Sequence, residues 1–97
     1  MSEKKIEKLL CTKVKKHGGI TYKLLGLVNG LPDRIVILPG GDVWFVELKT
    51  KTNRCSRIQE YRIKELQEHG ANVRVIHGCE EVVNFVKEVL SDGIQAP

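Results

Sequence analysis

Apolar residues recur at helical spacing in three parts of the chain. The first part has a potential N-cap at Ser2, lysines opposite its apolar stripe, and a glycine pair at 18–19 where a helix readily ends. The second part covers residues 57–70 and the third covers residues 79–93, and each closes on a glycine. The pattern therefore predicts three amphipathic helices.

Shorter segments, rich in apolar residues, lie between these helices. They predict four strands, over residues 20–27, 33–38, 43–49 and 71–78. A Pro-Gly-Gly-Asp sequence at 39–42 joins the second and third strands and is typical of a tight hairpin turn. The runs 35–38 and 43–46 are continuously apolar, which indicates central strands that are covered on both faces.

The order of the elements, α-β-β-β-α-β-α, predicts an α/β fold in which helices flank a mixed central sheet. We expect a single domain over residues 1–97, with residues 94–97 loosely held. No apolar run approaches the roughly 20 residues that a membrane-spanning helix needs. The N-terminus contains acids and lacks the apolar core of a signal peptide. We therefore expect a soluble, cytoplasmic protein.

The two central strands carry three charged residues near their ends. Asp33 opens the second strand, whereas Glu47 and Lys49 lie two apart on the third, so their side chains point to the same face. In an antiparallel hairpin that turns at Gly40 and Gly41, Asp33 and Glu47 fall at the same open end. The pattern thus predicts two carboxylates and an ammonium group within a few ångströms of one another.

Two neighbouring carboxylates raise each other's pKa unless a cation neutralises them. Mg²⁺ is typically bound by one or two carboxylates together with waters and a substrate phosphate. It can polarise that phosphate and lower the pKa of a bound water, while a nearby lysine stabilises the developing charge. One interpretation of Asp33, Glu47 and Lys49 is therefore a metal-dependent nuclease site. The other is an ion network at a strand end, without a metal.

Positive charge is concentrated in two blocks on either side of this acidic centre. Residues 1–23 carry a net charge of +5 and residues 49–67 carry +4, whereas residues 24–48 and 68–97 are net negative. Such blocks are either solvated helix faces or a surface for a polyanion such as nucleic acid. The three cysteines and three histidines lack metal-ligand spacing, so neither a disulfide framework nor a zinc site is expected.

The sequence Pro32-Asp33, followed after 13 residues by Glu47-Leu48-Lys49, matches the PD-(D/E)xK motif of metal-dependent nucleases. Nearly the whole chain, from residue 3 to about residue 86, resembles the stand-alone VRR-NUC domain proteins of phages and bacteria. The matching segments are EKKIE, GLPDRIVILPGG, VWFVELK, SRIQ and HGANVRVIHGCEEV. The resemblance implies a restriction-endonuclease-like core and DNA hydrolysis that depends on Mg²⁺ or Mn²⁺, in a bacterial or phage-infected cell.

The resemblance also implies roles for the motif residues. By motif position, Asp33 and Glu47 would bind the metal, with the Leu48 backbone carbonyl as a third ligand. Lys49 would be the catalytic lysine.

The family pattern adds an acid on the first helix and a glutamine at the start of the second. Glu3 is favoured over Glu7 for the acid, because the apolar stripe of the helix centres nearer to it. Either glutamate could instead simply complement the helix dipole. Gln59 matches the glutamine, but it also follows Ser56 at capping-box spacing and could simply cap its own helix.

Five basic residues are candidate nucleic-acid contacts: Lys23, Arg34, Lys51, Arg54 and Arg57. Lys23 is equally well explained as a solvated lysine. Arg34 points to the opposite face from Asp33, which suits a structural or DNA-binding role rather than chemistry. The aromatic pair at 44–45 is expected in the core rather than stacked on bases.

The resemblance further implies a homodimer that cleaves branched DNA, such as four-way (Holliday) junctions. A twofold axis would supply the two active sites that paired cuts require. The candidate dimer surfaces are the first helix and the apolar segment 22–31. Two alternatives remain: a non-catalytic branched-DNA-binding module, and a nuclease of the same fold without junction preference. The presence of both motif acids and the lysine speaks against the binding module.

Overall fold

The structure is a computed structural model that describes residues 2–26 and 28–94, and the predictions made for Leu27 and for residues 95–97 lie outside these ranges. Seven elements follow one another in the predicted order. The helices are α1 (Glu3–Lys16), α2 (Arg57–Glu68) and α3 (Gly78–Ile94), and the strands are β1 (Ile20–Lys23), β2 (Arg34–Leu38), β3 (Asp42–Lys49) and β4 (Asn72–His77). Among the described residues, no helix has the length and apolar character needed to cross a bilayer.

The four strands form one mixed sheet in the order β1-β2-β3-β4. Neighbours among β1, β2 and β3 are antiparallel, whereas β4 runs parallel to β3 because α2 carries the chain back across the sheet. In the β2–β3 turn, Gly40 and Gly41 have positive φ angles of 89° and 82°, which residues with a side chain rarely adopt. The predicted α/β fold with a mixed central sheet is confirmed.

The first strand is shorter than predicted and ends at Lys23 rather than at residue 27. The Leu24 N–H still donates a hydrogen bond of 2.7 Å to the Asp33 carbonyl, just before β2 begins. Beyond that point β2 offers no further residues to pair with, and the chain bends at Gly26. Leu25 and Val28, on either side of this bend, therefore belong to a loop.

The hydrophobic core lies on one side of the sheet, which we call the core face and which is covered by α1 and α3. Because side chains alternate along a strand, every second strand residue points into it. The buried apolar residues are Ile6, Leu10 and Val14 of α1, Val36, Leu38, Val46, Leu48 and Ile76 of the strands, and Val82, Phe85, Val86 and Leu90 of α3. Trp44 packs against this cluster with its ring edge-on to Phe85, as expected for a core residue.

Within residues 2–26 and 28–94, α2 is the one helix on the opposite side of the sheet, and its 12 residues include no buried residue. We call this side the open face, with Ile20, Tyr22, Ile35, Ile37, Val43 and Phe45 as its residues on the first three strands. The last four are only partly buried, while Ile20 is 49% and Tyr22 60% exposed. The expectation that both faces of the central strands are covered is therefore wrong, because one short helix does not cover what two helices cover on the core face.

Candidate active site

The register of the β2–β3 hairpin brings Asp33 and Glu47 together. Arg34 lies opposite Val46 in this antiparallel pair, so the next position outwards places Asp33 opposite Glu47. The Leu48 N–H donates a hydrogen bond of 2.9 Å to Asp33 Oδ2, which holds that carboxylate against β3. The two predicted carboxylates are therefore neighbours at the end of the sheet.

Glu47 is an unusual carboxylate because only 2% of its surface is exposed. Its Oε2 accepts a hydrogen bond of 3.0 Å from Gln59 Nε2 and lies 3.4 Å from Lys49 Nζ. Its Oε1 is also buried but has no hydrogen-bond partner among the residues that the structure describes. A buried oxygen without a partner costs free energy. A cation or a hydrogen-bond donor that binds Oε1 would therefore stabilise the site.

Burial raises the pKa of Glu47 from its ordinary value of 4.5 to about 7, and the charge of Asp33 acts in the same direction. Lys49 lowers the pKa through its charge and a hydrogen bond, without offsetting the effect of burial. Near neutral pH a substantial fraction of Glu47 therefore holds a proton in the metal-free protein.

Gln59 makes both of the contacts that the sequence offered as alternatives. Its amide oxygen accepts a hydrogen bond of 2.8 Å from the Ser56 N–H, and Ser56 Oγ accepts one of 3.3 Å from the Gln59 N–H, which together form a capping box. Its amide NH₂ donates to Glu47 at the same time. Because an amide combines an acceptor with a donor, one side chain joins the start of α2 to the carboxylate.

Substitution separates these two contacts. Gln59→Glu keeps an acceptor for the Ser56 N–H but replaces the donor to Glu47 with a negative charge, so we expect nucleic-acid cleavage to fall by roughly tenfold or more. Ser56→Ala removes part of the cap and leaves the donor, so we expect unfolding to become easier by about 1 kcal/mol, with most of the cleavage retained well below the melting temperature. Cleavage rates and denaturant unfolding curves measure both effects. Equal losses of cleavage in the two variants would mean that Gln59 acts only through the helix.

A close contact fixes α2 against the loop that leads into Asp33. Gly30 has a φ of +83°, and a Cβ atom there would lie 2.6 Å from the Ile58 carbonyl oxygen. One turn further along α2, Arg62 Nε donates a hydrogen bond of 2.9 Å to the Asn29 carbonyl. Only glycine at position 30 leaves room for this packing, which sets the position of Gln59 relative to the hairpin.

Arg34 and Glu7 lie together on the core face, away from Glu47. Arg34 Nη1 is 2.8 Å from Glu7 Oε2, and Arg34 Nε donates a hydrogen bond of 3.1 Å to Thr21 Oγ1. Arg34 is 8% exposed, so its guanidinium is not presented to a nucleic acid. Of the two roles left open for Arg34, the geometry supports the structural one, which links α1, β1 and β2.

The predicted helix acid is not part of a carboxylate cluster. Glu3 is exposed in the first turn of α1, and Glu7 is engaged by Arg34. Within residues 2–26 and 28–94, no three His, Cys, Asp or Glu side chains are placed so that they could share a metal ion. Neither glutamate therefore joins Asp33 and Glu47 here, and a catalytic role for Glu3 stays a prediction.

The other predicted nucleic-acid contacts divide between two locations. Lys23 is paired in register with Arg34, so its exposed side chain lies on the core-face side rather than beside Glu47. The β3–α2 loop, which follows Lys49, and the start of α2 carry three exposed basic residues: Lys51, Arg54 and Arg57. These three remain candidates for binding a nucleic acid.

Cys55 lies beside the carboxylates, although nothing in the cysteine spacing indicated it. Burial raises the pKa of its thiol, and the charge of Glu47 acts in the same direction. The position of Cys55 depends on how the β3–α2 loop folds back over the sheet. The only local signal is that Cys55 directly precedes the capping box at Ser56.

The donor set suits a hard divalent cation. Asp33 and Glu47 offer two carboxylates, and one oxygen of Glu47 is without a partner among the described residues. Mg²⁺ and Mn²⁺ need no more than this from the protein, because waters and phosphate oxygens fill the other positions. The predicted third ligand, the Leu48 carbonyl, belongs to the residue whose N–H holds Asp33. The residues fit such an ion, and its binding stays a prediction.

Two acids and a lysine on a central hairpin, with a glutamine from the following helix, define a candidate site for phosphodiester hydrolysis. The sequence profile of the VRR-NUC domain matches residues 2–80. The chain belongs to the VRR-NUC family and is a nuclease, which confirms the predicted family.

Relatives agree with this assignment. "Putative nuclease p44" of Acyrthosiphon pisum secondary endosymbiont phage 1 is 50% identical over 69 residues, which cover 70% of this chain and 68% of that protein. A solved structure named "VRR_NUC domain" superimposes with a TM-score of 0.83 at 29% identity, covering 90% of this chain and 96% of the other. A second solved structure, named "VRR_NUC domain protein", superimposes with a TM-score of 0.78 at 18% identity, covering 94% of this chain and 89% of the other. At this identity it shows likeness of fold alone.

Proposed function

We propose that this nuclease is a Mg²⁺- or Mn²⁺-dependent endodeoxyribonuclease whose active site is built on Asp33 and Glu47. The observation that carries the proposal is the buried Oε1 of Glu47, which has no partner among the described residues although a second carboxylate lies alongside. A purely structural ion network would pair both oxygens internally, since an unpaired buried oxygen costs stability. A bound cation accounts for this arrangement.

Each residue of the site has a role in this proposal. Asp33 and Glu47 would hold the cation, which supplies Lewis acidity towards the phosphate and lowers the pKa of a water. Gln59 holds Glu47 by Oε2 and so leaves Oε1 for the cation. Lys49 Nζ lies 3.4 Å from Glu47 Oε2 on a side chain that is 14% exposed. It can therefore stabilise negative charge that develops on the phosphate oxygens.

We also propose that the protein is a homodimer in which a second copy covers the open face. Ile20 and Tyr22 lie exposed on the edge strand β1, and Leu25 and Val28 of the adjacent loop are 77% and 43% exposed. Such a contiguous apolar area on a small domain is typical of an interface. The alternative surface, α1, is less suitable because its apolar residues are already buried in the core.

A twofold dimer through this face would suit branched DNA. A twofold interface uses the same surface on both copies, so a charged surface would bring like charges together. An apolar sheet face avoids this repulsion. Glu47 and Lys49 also lie on the open face, near the ends of the strands. Two catalytic pairs would then lie near the axis, where they could cut two strands of one four-way junction.

The function is tested by cleavage of a labelled four-way junction and a matched linear duplex in Mg²⁺, in Mn²⁺ and in EDTA. Paired nicks confined to the junction and abolished by EDTA are the expected result. Equal cutting of both substrates would retain the nuclease and remove the junction preference. Junction binding without cleavage in either metal would favour the non-catalytic binding module instead.

The dimer surface is tested by a charge on the edge strand. Ile20→Asp alters a side chain that is 49% exposed, so the monomer should fold, while the interface would bury an unpaired charge. We expect a monomer in sedimentation and single nicks in place of paired cuts. Thr12→Glu, on an exposed position of α1, is the matched control and should remain dimeric. A dimeric Ile20→Asp variant would place the interface elsewhere.

A further inference from the structure

A groove of about 530 Å³ runs between α2 and β4 on the side of the sheet that carries Glu47. Its wall is formed by α2 through Ile63, Lys64 and Gln67, and its floor by Val75 and His77 of β4. None of these residues was assigned a role from the sequence. The groove is separate from the exposed part of the open face, which lies over β1 at the other edge of the sheet.

The groove begins at the active site. Cys55 lines the groove and directly precedes Ser56, which forms the capping box with Gln59. Gln59 in turn donates a hydrogen bond of 3.0 Å to Glu47 Oε2, so this part of the groove adjoins the carboxylate. At the floor, His77 is the register partner of Lys49 on the neighbouring parallel strand. Side chains of register partners point to the same face about 5 Å apart, so His77 lies beside the lysine of the site. A strand that leaves the scissile phosphate can therefore enter this groove directly.

The length of the groove is suited to a short stretch of a nucleic-acid strand. Its α2 wall extends from Glu60 to Gln67, which corresponds to roughly 10 Å at 1.5 Å per helical residue. That distance is about three base steps at a spacing of 3.4 Å. A strand lying there would have its next phosphates over the groove.

The charges of the groove favour a polyanion. Arg54 and Lys64 contribute two cations against one lining acid, Glu60. His77 Nδ1 lies 3.8 Å from Glu81 Oε1, so its Nε2 is the ring nitrogen left to contact a phosphate. The apolar floor at Val75 can accept a sugar or a base while the cations contact phosphates. Beyond His77, a smaller cavity of about 340 Å³ is lined by two acids, Glu80 and Glu81, and one cation, Lys51, so it suits a phosphate less well than the groove does.

We propose that this groove holds the DNA strand that continues from the scissile phosphate, and that Arg54, Lys64 and His77 contact its phosphates as positioning residues. The inference rests on the proposed DNA substrate and deepens it. It adds Lys64 and His77 to the nucleic-acid-binding surface. It also places that surface along α2, leading away from the site.

Binding is measured first in an Asp33→Asn background, so that the result does not depend on cleavage. Labelled four-way junction and linear duplex are titrated at several salt concentrations with Lys64→Glu, Lys64→Arg and His77→Asn. Lys8→Glu is the matched control, because Lys8 is an exposed lysine on α1, across the sheet from the groove. The same substitutions in the active protein give kcat and KM, and thermal unfolding checks that each variant is folded.

For Lys64→Glu we expect Kd to rise by roughly threefold or more, with the slope of log K against log salt shallower by about 1. Lys64→Arg should restore both values, and KM should rise with little change in kcat. Lys64→Glu and His77→Asn variants that both behave like Lys8→Glu would overturn the proposal. If the protein cleaves no DNA but Lys64→Glu weakens binding as expected, the proposed nuclease activity is overturned and the DNA-binding groove is supported.

Discussion

Asp33→Asn is expected to lower the rate of metal-dependent DNA cleavage by about a thousandfold, and Lys49→Met by roughly a hundredfold to a thousandfold. Asparagine keeps the shape of the side chain and an oxygen for the Leu48 N–H, but removes the charge that a divalent cation requires. Methionine keeps the length of Lys49 and removes the ammonium group 3.4 Å from Glu47. The two substitutions thus remove different functions with little change in packing.

The measurement is a single-turnover cleavage assay over a range of Mg²⁺ and Mn²⁺ concentrations. Loss of a metal ligand should shift the metal dependence, whereas loss of the lysine should lower the maximal rate at saturating metal. Both variants should still bind DNA. Glu68→Gln, on an exposed position near the end of α2, serves as the control and should cleave at the wild-type rate. An Asp33→Asn variant that cleaves normally would remove Asp33 from the metal site.

Glu47→Gln should stabilise the metal-free protein above neutral pH while abolishing cleavage. The pKa of Glu47 is raised from 4.5 to about 7 in the folded state. The folded state therefore holds this proton more tightly than the unfolded state. Below about pH 4.5 both states are protonated and no penalty exists. As the pH rises from about 4.5 to about 7, the unfolded state releases the proton first and the free energy of unfolding falls.

The size of the effect follows from the shift in pKa. At 1.36 kcal/mol per unit, the penalty reaches at most about 3 kcal/mol above pH 7. Glutamine carries no charge and avoids it, although Lys49 loses its partner, so we expect a net gain of about 1–3 kcal/mol. Unfolding in denaturant at pH 5 and pH 8, with EDTA present, should show the variant gaining stability mainly at pH 8. The exposed Glu68→Gln should show no such difference. An equal gain at both pH values would contradict the raised pKa.

Mg²⁺ should act on the wild-type protein in the same direction as this substitution. A cation that neutralises Glu47 removes the penalty of its buried charge and stabilises the folded state by mass action. The same ion should stabilise Glu47→Gln much less. The comparison provides a readout of metal binding that does not depend on catalysis.

The hairpin that carries the candidate site was predictable because its determinants are local. Two glycines set the turn, and counting outwards along the strands places Asp33 opposite Glu47. Strand alternation places Lys49 on the side of Glu47. For Gln59, the capping spacing predicted the contact with the Ser56 N–H and the family pattern predicted the contact with the site. The sequence did not predict that one amide makes both contacts at once.

Features that depend on how the helices pack could not be read from the pattern. The ion pair of Glu7 with Arg34 joins residues far apart in sequence and requires α1 to lie over β2. The apolar runs of β2 and β3 gave no indication that one face would stay partly uncovered, because periodicity reports which residues avoid water and not what covers them. Cys55 reaches the site only through the path of a loop.

If Glu47 is the catalytic carboxylate proposed above, the single amide that joins it to the start of α2 would couple helix fraying to catalysis. The ends of helices open far more often than whole domains unfold, and the first turn of α2 is exposed apart from partly buried Gln59. Each opening of this turn would release Gln59 from the Ser56 N–H and from Glu47 together. Heat should therefore disable the enzyme by local melting at temperatures where the core packed between α1, α3 and the sheet is still intact.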